Sequence, residues 1–70
     1  MKTEQLVREF RKVAKGRGLD FTFERAGGRH DLYRCGAVTV AIPRHGEIGP
    51  KMEFELRKEL EPVLGKRWWR

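Results

Sequence analysis

The sequence predicts a small α+β domain in the order helix, three-stranded antiparallel meander, helix, with two helices on one face of the sheet. It rests on an apolar stripe at three- and four-residue spacing near the start, alternating apolar and polar runs punctuated by glycine, and a second helical stripe opened by proline. No internal repeat or low-complexity block interrupts this order.

Leu6, Val7, Phe10, Val13 and Ala14 recur at helical spacing among Glu4, Arg8, Glu9, Arg11, Lys12 and Lys15, which predicts a helix over about 3–15. Thr3 is placed to cap it, Glu4 sits at its positive end, and Lys15 with Gly16 or Gly18 suits the other terminus. Phe21-Thr22-Phe23-Glu24-Arg25 alternates and reads as a strand. Ala26-Gly27-Gly28 then turns the chain into a second strand from His30 to Cys35. Gly36 closes a tight hairpin, and residues 37–42 form a third strand with Val38, Val40 and Ile42 on one face. Pro43 ends the sheet, and residues 43–49 read as a loop.

Pro50 fits a first helical position, with Met52, Leu56, Leu60, Val63 and Leu64 sharing one face. Pro62 lacks a backbone donor and disfavours helical geometry at Glu61, so this helix is expected to end or kink near Leu60. Residues 1–64 are read as the domain. Residues 65–70, Gly65-Lys66-Arg67-Trp68-Trp69-Arg70, are read as a basic aromatic tail whose tryptophans cover the core, meet a second copy of the chain or stack bases.

Seventy residues allow one domain, and a charged fraction of 37% makes most of its surface ionic. The net charge of +6 favours a polyanionic partner, nucleic acid above all, because lysine and arginine release counterions from a phosphate backbone. The lone Cys35 excludes an internal disulfide and reads as a small buried residue. One cysteine and two histidines fall short of zinc-site spacing, so no metal and no cofactor is expected. No apolar stretch approaches a signal core or a membrane span, so no membrane partner and a cytoplasmic location are expected.

The chemistry-bearing stretch is Gly27-Gly28-Arg29-His30. Glycine lets a bulky anion approach the main chain, and histidine has an unperturbed pKa of about 6.5 that suits it to proton transfer near neutrality. The pairing points to chemistry on a phosphodiester, with His30 as general base. The bland alternative is a solvated histidine at a strand end. Arg25 and Arg29 are the nearest guanidinium groups for a charged phosphorane, and either also reads as an ordinary surface arginine. Lys12 and Lys15 are candidate phosphate contacts on the first helix, and His45 is read as a phosphate ligand or loop cap.

Order and residues together resemble the HicA (YcfA-like) toxins, small bacterial mRNA interferases with a double-stranded-RNA-binding-domain-like α-β-β-β-α fold. The likeness runs through Gly18-Leu19 after the first helix, Gly28-Arg29-His30 where the family has a Gly-Ser-His type segment, Tyr33 in the next strand, Ile42-Pro43-Arg44-His45 after the third, and Glu47-Ile48 before Leu56. Arg29 stands where serine is common. The resemblance implies a metal-independent endoribonuclease that cleaves mRNA with His30 as the catalytic residue. Gly28, Arg29, Arg25, Lys12, Lys15 and His45 are the RNA-binding positions expected here. It further implies a HicB-like antitoxin as partner. The alternatives are a non-catalytic RNA-binding module of the same fold and a protein-interaction element, in which the tail joins copies into a homo-oligomer.

Overall fold

The computed structural model describes residues 1–44 and 46–70, and shows the α-β-β-β-α order. Helix α1 spans Thr3–Gly16, strands β1, β2 and β3 span Phe21–Gly27, His30–Cys35 and Val38–Pro43, helix α2 spans Pro50–Glu59, and one further turn, α3, spans Glu61–Leu64. The strands form an open antiparallel sheet with β2 in the centre.

Register decides which residues share a face, because directly paired residues project to the same side. Phe21, Cys35 and Val38 make one row, Phe23, Tyr33 and Val40 the next, and Ala26, Asp31 and Ile42 the third. These rows face the helices: Phe21, Cys35, Val40 and Ile42 join Leu6, Phe10 and Ala14 of α1, Leu56 of α2, and Leu60 and Leu64 in one core. α1 packs chiefly over β1 and α2 over β3. Among the described residues no helix covers the other face of the sheet.

Several boundaries differ from the expected ones, each for a physical reason. The N-cap of α1 is Lys2, not Thr3; the Gln5 side chain accepts from the Lys2 N–H at 3.0 Å, while the Thr3 hydroxyl donates to the Pro43 carbonyl at 3.0 Å. Strand β1 runs on through Ala26 and Gly27, leaving Gly28 and Arg29 as a two-residue turn with Gly28 at φ +67°. Glycine at the first central position matches the strand twist of a hairpin. β3 starts at Val38, after a Gly36-Ala37 turn, and includes Pro43 opposite His30. The Arg44 N–H donates to the Arg29 carbonyl, which marks that pair as a non-hydrogen-bonded one, so the missing proline N–H costs the ladder nothing.

α2 begins with Pro50 in its first turn and stops at Leu60, and Pro62 lies in the opening of α3, so the proline divides the two segments. Met52 does not join the core: it is 40% exposed. Residues 65–70 are not a tail separate from the domain. Trp68 is 8% exposed, lies edge-on to Phe10 and donates from Nε1 to the Arg57 carbonyl at 2.8 Å. Arg57 is itself buried. It joins Glu9 of α1 and Glu53 of α2 and lies against the Phe10 and Trp68 rings. The Glu9 hydrogen bond, aided by Glu53, raises the Arg57 pKa above its ordinary value against the opposing effect of burial.

Candidate active site

His30 opens β2 and lies on the open face of the sheet. Its partners in register are Gly27 on one side and Pro43 on the other, and the next row on that face is Arg25, Leu32 and Ala41. The residue is half-buried. Gly27 has no side chain, so nothing projects from that position of β1 beside His30. An ideal Cβ on Gly27 would lie 3.4 Å from the His30 carbonyl oxygen and 3.6 Å from Leu32 Cγ.

Simple alternation from Phe21 would place Arg25 with the core-facing rows. A β-bulge between Phe23 and Arg25 reverses this: Glu24 is the extra residue, and Arg25 pairs with Leu32 on the face that carries His30. Arg25 is therefore diagonal to His30 on one face, within the reach of a long side chain. Glu24 pairs with Arg25 at 3.3 Å and with Arg34 at 3.5 Å on the exposed surface. Arg29 is exposed in the turn immediately before His30.

Gly28 provides the positive φ that the turn requires, whereas Gly27 stands opposite His30 without a side chain. Asp31 does not orient His30, because it faces the helices and accepts from Arg44 Nε at 3.0 Å. Lys12 and Lys15 are exposed on α1, which covers the opposite face, so they are not gathered round His30. His45 lies outside the described residues. Among the described residues no three histidine, cysteine, aspartate or glutamate side chains are grouped so as to hold an ion. No helix there is long and apolar enough to cross a membrane.

A concavity of about 760 Å³ lies on the helix side and is lined by Lys2, Arg8, Arg11, Tyr33 and Arg44 among others, not by His30. Sequence reasoning missed these arginines as a group. The signal was there: Arg8 and Arg11 are one helical turn apart on the edge of the apolar stripe.

Fold and site together define a basic α+β domain with an accessible histidine at the end of an open-faced antiparallel sheet. Comparison of the chain with known protein families, with curated proteins and with solved structures gave no match.

Proposed function

We propose that the chain is a HicA-like endoribonuclease, an mRNA interferase that cleaves single-stranded RNA without a metal ion, with His30 as general base. The observation that supports it best is the placement of His30: the residue is half-buried at the sheet end opposite a glycine, with Arg25 turned to the same face by the bulge and Arg29 in the adjoining turn. The resemblance of Gly28-Arg29-His30, Tyr33 and Pro43-Arg44-His45 to the HicA pattern names the chemistry.

The imidazole removes the proton of a ribose 2′-hydroxyl. The freed oxygen forms a bond to the adjacent phosphorus, the bond from phosphorus to the 5′ oxygen breaks, and that oxygen takes a proton from water. The products are a 2′,3′-cyclic phosphate and a 5′-hydroxyl. A positioned base contributes roughly 10²–10⁴ in rate, and guanidinium groups stabilise the charge that accumulates on phosphorus. DNA lacks the attacking hydroxyl and is spared. A HicB-like antitoxin is the protein partner this reading implies.

The test is growth arrest and transcript decay on expression of wild type and His30→Ala at equal folded levels. Arrest by wild type alone is expected; equal arrest by both would overturn the assignment of His30. A second reading, a non-catalytic RNA-binding module, is favoured by one observation, that the arginine-lined concavity on the helix side excludes His30. Intact RNA after incubation with wild type at saturating binding would select it.

A further inference from the structure

The concavity on the helix side is a second concentration of basic and aromatic groups, and its geometry differs from that of a solvated charge face. Arg11 Nε donates to the Phe21 carbonyl at 3.2 Å, and Arg44 Nε donates to Asp31 Oδ1 at 3.0 Å. Each guanidinium is anchored through its inner nitrogen, which leaves the outer pair of nitrogens for a bidentate contact at little further cost in side-chain order. Arg8 makes no ion pair among the described residues. Four cationic side chains line the groove against two carboxylates, and one of these, Glu47, is already neutralised by the terminal ammonium at 2.6 Å.

One aromatic ring, that of Tyr33, lines the groove. Tyr33 stacks on Phe21 at a ring separation of 5.1 Å, and Phe23 meets Tyr33 edge-on at 5.9 Å. Phe23 is not part of the groove lining but is 53% exposed, so a large apolar ring stands open next to the Tyr33 that lines it. Fixed forks that fit phosphates next to open rings that fit bases are the two components of a site for unpaired polynucleotide. The Arg44 N–H is bonded to the Arg29 carbonyl, so the groove adjoins the turn that leads to His30.

We infer that this groove holds a single-stranded segment of RNA, its phosphates on Arg8, Arg11 and Arg44 and a base on Phe23 and Tyr33, as a docking site separate from His30. The inference deepens the ribonuclease reading by giving the substrate a place to bind, and rests on it for the choice of RNA.

The test is binding of a fluorescent, uncleavable 2′-O-methyl single strand to wild type, Arg8→Gln, Phe23→Leu and His30→Ala over a range of salt concentrations. Arg8 makes no ion pair among the described residues, so Arg8→Gln is expected to stay folded, weaken binding roughly tenfold and reduce the salt slope by about 0.7. Phe23→Leu is expected to weaken binding fivefold or more with the slope unchanged, the loss of one stacked base being worth roughly 1–3 kcal/mol. His30→Ala is expected to bind as wild type. Wild-type affinity and slope in Arg8→Gln would overturn the groove while leaving His30 chemistry standing. Arg8-dependent binding of polyglutamate, with none of the oligonucleotide, would make it an acidic-peptide site and equally overturn the inference. Undiminished cleavage of unmodified single-stranded RNA by His30→Ala, measured alongside the binding, would overturn the catalytic reading and leave the groove.

Discussion

At the residue scale, position within the sheet separates side chains that are adjacent in sequence. His30 and Asp31 are neighbours in the chain, yet one occupies the open face and the other pairs with Arg44 on the helix side. The alternation of a strand made that separation readable in advance. The turn of Arg25 towards His30 was not readable, because a bulge has no fixed sequence sign and Phe-Thr-Phe-Glu-Arg alternates regularly. Cys35 gives a residue-scale prediction. It is fully buried, and burial, with Asp20 adding to it, pushes its thiol above the ordinary value of 9.0. The folded chain keeps this proton where the unfolded chain loses it. Its contribution to stability is thus complete below about pH 9 and is lost as the pH rises through the folded value. Iodoacetamide at pH 8 is expected to leave the native protein unmodified and to label Cys35 fully in urea, as read by mass spectrometry; rapid native labelling would contradict the burial.

At the element scale, the two hairpin glycines provide an internal comparison. Gly28 and Gly36 both have positive φ, at +67° and +60°. A Cβ on Gly28 meets nothing within 4 Å, whereas one on Gly36 would lie 3.2 Å from Val63 Cγ1. Gly28→Ala is expected to cost about 1–2 kcal/mol for the left-handed backbone alone, and Gly36→Ala to cost more because Val63 has to give way. Urea unfolding of the two variants checks the order; equal losses would show that the contact with Val63 carries no weight. The prolines were legible in the same physical terms, since Pro50 opens α2 and Pro62 follows its end. The N-cap was not: the Thr3 hydroxyl is taken by the Pro43 carbonyl, 40 residues away, which no local pattern reveals.

At the scale of the whole molecule, the order of elements was readable because 3.6-residue and two-residue periods alternate along the chain, but the closure of the core was not. Nothing in the sequence sets Arg57 apart from the other charges of α2, whereas covering the core was one reading of the tail tryptophans and is the one Trp68 takes; together they join α1, α2 and the last residues through Glu9, Glu53 and the Phe10 ring. Burial of an arginine depends on partners distant in sequence, and Glu9 is 48 residues away. Arg57→Ala is expected to destabilise the fold by about 2–3 kcal/mol. That is less than for a fully buried pair, because Glu9 and Glu53 keep partial access to solvent. Trp68→Ala is expected to cost about 3–5 kcal/mol, a large share of the stability of so small a domain. Thermal unfolding measures both, and wild-type stability in Trp68→Ala would show that residues 65–70 are dispensable to the core.

The most direct measurement is product analysis by mass spectrometry after single-stranded RNA is incubated in EDTA with wild type or with folded His30→Ala. The expected result is 2′,3′-cyclic phosphate and 5′-hydroxyl ends from wild type, with cleavage by His30→Ala slower by roughly 10²–10⁴. Equal rates from the two proteins, or 5′-phosphate ends from wild type, would contradict a histidine base acting on the ribose hydroxyl.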